Sequence, residues 1–446
     1  VERLAAIVKA YDIRGIVPDE LDTEVARALG RAAAVELQGP AIVVGRDMRP
    51  SSPDLAEAFM AGVRAEGVDT IDVGLASTDL LYYASGRLGI PGAMFTASHN
   101  PAGYNGIKLC RAAAEPISLE TGLARIRDRA ITGDFPPAAR EGGHRELDLL
   151  AEFAAHVRTF ADVERLRPLT VAIDAGNGMA GHVVPSVLDG LPVSIVPLYF
   201  DLDGTFPNHP ANPIEAENLV DLQAAVVRDG CDLGLAFDGD ADRVFCVDER
   251  GRAVPPSLIT AVIADTLLRR NPGATVLYNL ICSKTVPETI EASGGNAVRT
   301  RVGHSFIKAL MKDTDALFAG EHSGHYYFRD NFRADSGLIA AVVLLEALSD
   351  HGGPMSQLVA PYDRYVQSGE LNTRVVDSPT AIDRVADDFA EEGDADWADG
   401  LTVQGDDWWF NLRPSNTEPL LRLNVEAATD LQMGAVRDRV LALISA

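Results

Sequence analysis

The chain reads as an α/β protein of four domains, three similar mixed α/β units followed by a smaller α+β domain. Three observations carry that reading. Strand, helix and strand alternate in three successive series, the pattern of α/β units with parallel or mixed sheets. Each series holds an apolar strand that stops abruptly in a polar, glycine-containing loop. The length of 446 residues is near three times that of a typical domain and asks for several cores.

In the first series a strand at 41–45 precedes a helix opened by Ser52-Pro53 and closed by Gly67. Proline fits a first helical turn, where the amide has no partner to lose. Strands at 70–73 and 92–95 follow. The second series begins with a strand at 169–174, turns at Gly176-Asn177-Gly178, and continues through a helix, a strand at 193–198, a helix from Glu217 and a strand at 231–237. The third runs from a strand at 274–282 through Val302 to a strand at 316–319 and a long apolar helix at 336–348. From about Tyr362 the character changes to an acidic helix at 381–392, short strands at 401–403, 408–412 and 420–425, and a final helix. With no low-complexity linker, the expected domains are 1–148, 149–249, 250–361 and 362–446, joined by short connections.

A net charge of −26 at pH 7 leaves no bulk basic face for nucleic acid. No apolar run reaches the length of a membrane span, and Val1-Glu2-Arg3 opens no signal-peptide core, so a cytoplasmic protein without nucleic-acid or membrane partners is expected. Cys110, Cys231, Cys246 and Cys282 lie far apart with no C-x-x-C pair, which suggests reduced, buried thiols rather than a zinc site or disulfides. Only five of the 39 cationic residues are lysines: Lys9, Lys108, Lys284, Lys308 and Lys312. An ammonium can lose a proton where a guanidinium cannot, although coding bias accounts for Lys9 and Lys312 at least as well.

Four polar loops carry the chemistry. Asp238, Asp240 and Asp242 alternate, so one short loop can aim three carboxylates at one point, an oxygen-only set suited to Mg²⁺ or Ca²⁺. An EF-hand is rejected because Arg243 stands where that loop requires glycine and the flanks read as strands. A solvated acidic turn is less favoured, since three unneutralised carboxylates after a buried strand would repel. Three carboxylates leave Mg²⁺ short of oxygens, which points to phosphate and to Ser98, in Thr96-Ala97-Ser98-His99-Asn100-Pro101, as its carrier. Taken alone, that loop reads equally well as a plain turn. Arg413 with Ser415, Asn416 and Thr417 gathers a guanidinium fork, two hydroxyls and an amide, with Arg422 on the next strand, the inventory of a phosphate cradle. Glu321 and Ser323 suit the vicinal hydroxyls of a sugar, while His325 serves at least to anchor that loop. Ligands of α/β sheets bind beyond the carboxyl ends of strands, so the four loops can converge on one cleft.

These four motifs, in this order and at these separations, together with Tyr11-Asp12-Ile13-Arg14-Gly15, resemble the α-D-phosphohexomutase family, in its phosphomannomutase/phosphoglucomutase branch. The resemblance covers essentially the whole chain. It implies a four-domain phosphohexomutase architecture around a central cleft and a mutase that passes a phosphoryl group from phosphorylated Ser98 to a hexose monophosphate through a 1,6-bisphosphate. It implies Mg²⁺ held by Ser98, Asp238, Asp240 and Asp242, with Arg14 and Arg243 supporting that side. Lys108 and His304 match positions that handle protons or orient the reacting hydroxyl, and His99 is a further catalytic candidate whose alternative role is to hold its loop. Tyr11, Lys284, Glu321, Ser323 and His325 match substrate contacts; Arg413, Ser415, Asn416, Thr417 and Arg422 match the phosphate site.

His322 in the sugar loop and Tyr104 before Asn105-Gly106 look more like phosphomannomutases than phosphoglucosamine mutases. Some relatives carry a lysine where this chain has Ile281. The expected activity is interconversion of mannose 1-phosphate and mannose 6-phosphate, with glucose phosphates as further substrates, a hexose 1,6-bisphosphate as activator, and a monomer or homodimer as the working form. The alternatives are a phosphoglucosamine mutase, a noncatalytic phosphosugar-binding protein and a calcium-binding module. The last leaves three of the four loops without a purpose.

Overall fold

A computed structural model of the chain describes residues 2–375, 377–414 and 420–445. Four sheets follow one another along it. In the first, Ala41–Arg46 lies between two parallel neighbours, Asp69–Leu75 and Gly92–Phe95, and Gly92–Phe95 turns back into the antiparallel strand Tyr104–Cys110. The second repeats the plan: Leu169–Asp174 sits between Val193–Leu198 and Leu233–Phe237, and Leu233–Phe237 returns as Val244–Asp248. The third repeats it again, with Thr275–Asn279 between Asn296–Thr300 and Phe318–Gly320, which returns as Tyr326–Phe328. The fourth sheet is wholly antiparallel, in the order Val366–Arg374, Leu420–Ala427, Trp408–Pro414, Leu401–Gln404, Asp394–Asp396, and is packed by the helices Ser378–Asp388 and Asp430–Ser445.

One apolar cluster runs continuously through the first three sheets, while the fourth keeps a core of its own. The helix Gly337–His351 explains the continuity. Every residue from Gly337 to Leu348 is buried, so it is covered around its whole circumference rather than along one stripe, with Glu346, paired to Arg270 at 3.1 Å, as its one charged residue in that stretch. Its N-cap Ser336 accepts the amide of Ile339 and donates its hydroxyl to Asp79, on a helix of the first domain, at 2.6 Å. All four cysteines are buried and free. Among the described residues no helix is long and apolar enough to cross a membrane.

Most parallel strands fall where the sequence places them, but the parallel edge strands His144–Glu146 and Asn296–Thr300 and the antiparallel return strands do not announce themselves. Tyr104–Cys110 carries Asn105 and Lys108 among its apolar residues, so no clean alternation shows. Val366–Arg374 is a nine-residue strand broken by a register shift between Gln367 and Glu370, with Gly369 at φ +68°, and the bulge hides its period. The strand expected at 274–282 stops at Asn279, and the chain passes Val302 as a short connection between the strand Asn296–Thr300 and a helix that begins at His304. The acidic helix spans Ser378–Asp388 instead of 381–392, and the last two strands run longer, to Pro414 and Ala427.

In each of the three repeats the polar loop occupies the same place, the hairpin from the last parallel strand into its antiparallel return. These are the loops bearing Ser98, the aspartates, and Glu321 to His325. The fourth loop has the corresponding place between Trp408–Pro414 and Leu420–Ala427, and Ser415, Asn416 and Thr417 lie outside the described residues.

Candidate active site

Ser98 sits at φ +49°, a left-handed backbone that an L-residue holds only when its surroundings enforce it. The enforcement is visible. Its amide donates to Thr96 Oγ1 at 2.9 Å, and the buried Arg49 spreads its guanidinium over four backbone carbonyls of the loop and its end, Ser98, Asn100, Pro101 and Tyr104, at 2.7 to 3.0 Å. Asp47 neutralises Arg49 at 3.2 Å, both side chains being fully buried. Gly239 of the aspartate loop passes so close that a Cβ there would lie 2.4 Å from the Ser98 carbonyl oxygen, so this position excludes any side chain. Breaking a buried pair leaves one charge uncompensated. Arg49→Met is therefore expected to lower unfolding free energy by about 3–5 kcal/mol in chemical denaturation.

The serine hydroxyl donates to Asp238 Oδ2 at 2.8 Å, lies 3.1 Å from His99 Nδ1, and accepts from Arg243 Nη2 at 3.3 Å. Arg243 also holds Asp238 at 2.8 Å and reaches His99 Nδ1 at 2.5 Å. Burial, reinforced by Arg243 and Arg14, pushes His99 well below the usual histidine range, so the ring is neutral and can accept from Arg243 on Nδ1. Arg14 pairs with Asp12 at 2.7 Å and donates to Asn100 Oδ1 at 2.5 Å, tying the N-terminal motif to the far end of the serine loop.

Asp238, Asp240 and Asp242 are all buried, each offering a carboxylate oxygen within 4.8 Å of the others. Lys108 Nζ donates to Asp240 and to Asp242, both at 2.6 Å, and Thr78 Oγ1 donates to Asp240 at 2.6 Å. Against its own burial, Asp240 is held well below the usual carboxylate range by Lys108, and the two carboxylates keep Lys108 charged despite its desolvation. Asp238 goes the other way: burial lifts it to about 8, with Arg243 opposing and Asp242 and Asp240 adding to the rise. Asp240 Oδ1 and Asp242 Oδ1 are buried with no hydrogen-bond partner among the described residues. A hard cation would relieve both the orphaned oxygens and the mutual repulsion, so the residues fit a divalent metal.

The loop of Glu321 to His325 is locked onto this cluster. Arg243 and His325 form a single antiparallel bridge, the amide of Val244 donates to the Gly324 carbonyl at 3.3 Å, and His325 Nε2 stands 3.9 Å from Asp242 Oδ1. Ser323 Oγ and His325 Nδ1 are 2.9 Å apart. Glu321 is buried beneath, accepting from Tyr327 at 2.6 Å and Asn279 at 3.1 Å. Two cavities meet at this loop. One, of about 420 Å³, is lined by Tyr11, Arg14, Ser98, His99, Lys108, Arg243, His304 and His325. The other, of about 630 Å³, is lined by His322 and Ser323 on one side and by Glu370, Arg413 and Arg422 of the fourth domain on the other. The His304 ring meets Tyr11 edge to face at 5.1 Å; desolvation, with Lys308 adding, pushes it down to about 3, so it is neutral at physiological pH.

The structure thus gathers Tyr11, Arg14, Ser98, His99, Lys108, Asp242, Arg243, His304 and His325 around one cavity, with Asp238 and Asp240 fully buried beside Ser98 and Lys108. It places Ser323, Arg413 and Arg422 at the adjoining cavity. Lys284 lines neither: its ammonium donates to the Asp406 carbonyl at 3.1 Å and its amide to Glu426 at 2.9 Å, a bridge from the third domain to the fourth. Arg49, Asp47 and Thr78 escaped the sequence reading. The signal for the first two was present, since Arg46-Asp47-Met48-Arg49 ends an apolar strand in charge just as the other loops do.

Comparison with known proteins agrees with this arrangement. The phosphoglucomutase/phosphomannomutase alpha/beta/alpha domains I, II and III match residues 5–136, 151–251 and 255–365, and the C-terminal domain matches 370–443. The chain is 40% identical over 443 residues to a phosphomannomutase of Salmonella montevideo, covering 97% of each chain. It is 41% identical over 431 residues to the phosphohexose mutases of Xanthomonas campestris pv. campestris, covering 95% of each. Among solved structures, a phosphoglucomutase/phosphomannomutase family protein from Burkholderia thailandensis superposes with a TM-score of 0.90 at 33% identity, over 99% of this chain and 98% of that one. Four successive domain matches and full-length identity of this order leave one assignment: the chain belongs to the phosphoglucomutase/phosphomannomutase family.

Proposed function

We propose that the chain is a phosphomannomutase, an isomerase that interconverts mannose 1-phosphate and mannose 6-phosphate through a phosphorylated Ser98 and a hexose 1,6-bisphosphate. The observation that carries this is the setting of the Ser98 hydroxyl, hydrogen-bonded to Asp238 and Arg243 beside a carboxylate triad and opening on a cavity walled by Lys108 and His304. The names of the relatives at about 40% identity support the sugar.

In the forward half-reaction the free hydroxyl of the sugar attacks phosphorus as the bond to Ser98 Oγ breaks; the sugar hydroxyl gives up its proton, Ser98 Oγ gains one, and neutral His304 orients the reacting hydroxyl. The second half runs in reverse, with Ser98 Oγ taking the other phosphate. Such transfers depend on positioning and charge neutralisation more than on covalent chemistry by the protein. Arg14, Lys108 and Arg243 place positive charge around the transferred group, and His99 holds its loop. Tyr11, Ser323 and His325 contact the sugar, with Glu321 setting the loop from beneath and Lys284 acting at the junction to the fourth domain. Arg413 and Arg422, with Ser415, Asn416 and Thr417, hold the phosphate that does not react. Asp238, Asp240, Asp242 and the phosphoserine would hold Mg²⁺, which when bound supplies neutralisation of the charge developing on the phosphoryl oxygens.

We place the domains at 1–148, 149–249, 250–361 and 362–446, on the support of one sheet for each, and the enzyme in the cytoplasm. The name of the Burkholderia protein favours a second substrate pair, glucose 1-phosphate and glucose 6-phosphate. The test is the rate of mannose 1-phosphate conversion beside that of glucose 1-phosphate, with Mg²⁺ and the matching 1,6-bisphosphate as activator. Rapid turnover of mannose 1-phosphate is expected; turnover of glucosamine phosphate alone, or of none, would overturn the reading.

A further inference from the structure

Arg413 and Arg422 stand directly opposite each other on neighbouring antiparallel strands, a register in which like charges repel. A third strand resolves the conflict. Glu370 accepts from Arg413 Nη2 on Oε2 at 3.1 Å and from Arg422 Nη1 on Oε1 at 3.2 Å, so a single carboxylate bridges both guanidinium groups. The bulge in Val366–Arg374 puts it there. The register shifts between Gln367 and Glu370, Gly369 takes φ +68°, and the Ser368 hydroxyl accepts the amide of Val425 at 2.9 Å, so the strand is pinned on one side of the irregularity while Glu370 is re-aimed across it. Glu370 pairs in register with Asn424, two residues from Arg422 and on the same face of the sheet. All three charged side chains line the cavity of about 630 Å³.

On the mutase reading, this site must release one phosphate of the bisphosphate and accept the other without losing the molecule to solvent. Two uncompensated guanidinium groups would grip a phosphate dianion in every state alike, and uniform binding does not raise turnover. With Glu370 the three groups carry one net positive charge instead of two. We propose that Glu370 is a built-in counter-anion, a positioning residue that orients both guanidinium groups toward the incoming phosphate and sets their grip weak enough for the intermediate to turn over.

The test is a charge cycle read by calorimetric binding of inorganic phosphate to the full-length protein. Glu370→Gln is expected to bind phosphate about tenfold more tightly than the unaltered protein, and Arg422→Gln about tenfold more weakly. The double variant E370Q/R422Q, which restores one net positive charge, is expected within about threefold of the unaltered protein. In turnover of mannose 1-phosphate, E370Q should lower KM and kcat together, a split that a purely scaffolding role would not produce. Phosphate binding by E370Q that is unchanged or weaker overturns the proposal. So does a double variant no better than the worse single one, which keeps the test decisive even if E370Q alone is poorly folded. Because phosphate binding needs no turnover, absence of mutase activity in the unaltered protein would count against the mutase reading and leave the cycle to judge Glu370.

Discussion

Replacing Ser98 by alanine is expected to lower turnover of mannose 1-phosphate by about 10⁴-fold or more, with the fold intact and no rescue by added 1,6-bisphosphate. The variant removes one hydroxyl from a loop held by other means. Arg49 fixes the loop through backbone carbonyls, and Gly239 still packs on the Ser98 carbonyl, so melting temperature should shift little. Asp238 keeps its pairing with Arg243. No second hydroxyl stands ready, because Thr96 Oγ1 is already engaged by the Ser98 amide. The measurement is a coupled assay of hexose 6-phosphate formation alongside thermal unfolding. Turnover near that of the unaltered protein, with bisphosphate present, would sink the phosphoserine assignment.

Removal of divalent cations with a chelator is expected to take turnover to a hundredth or less, with Mg²⁺ restoring it. The charge count at the cluster gives the reason. Three buried carboxylates face two cations, Lys108 and Arg243, and two carboxylate oxygens lack partners among the described residues. A bound cation would also stabilise the folded state, because it binds there and not to the unfolded chain. At a concentration about a hundred times its dissociation constant the gain is about 2.7 kcal/mol. The chelated protein should therefore melt several degrees below the Mg²⁺-loaded one. Equal melting temperatures and equal rates would remove the metal from this site.

Much of this site was legible in the sequence because its residues cluster in short loops at the ends of apolar strands. Thr96 to Pro101 and the alternating aspartates could be read with no knowledge of the packing around them. The illegible parts depend on contacts between distant segments. Arg49 gains its importance only when the loop around Ser98 folds over it, and Thr78 only when the second domain brings Asp240 to it, 162 residues away. Glu321 reads as a sugar ligand, yet Tyr327 and Asn279 hold it beneath its loop. Lys284 reads as a cleft residue, yet the packing of the third domain on the fourth takes its ammonium to Asp406. The first return strand was hidden for a related reason: Tyr104–Cys110 carries Asn105 and Lys108 among its apolar residues, and a strand that does so loses the alternation by which strands are recognised.

The repeated hairpin has an evolutionary consequence. A loop between two paired strands is tethered at both ends by hydrogen bonds that do not depend on its own side chains, so its chemistry can be rewritten while the scaffold stays constant. The same position was available three times over, and it holds Ser98 in one copy, the three aspartates in the next and Glu321 to His325 in the third. On the function proposed above, that separation permits unequal pace: substitutions in the third copy would retune which epimer is accepted while the other two, assigned to transfer itself, are left alone.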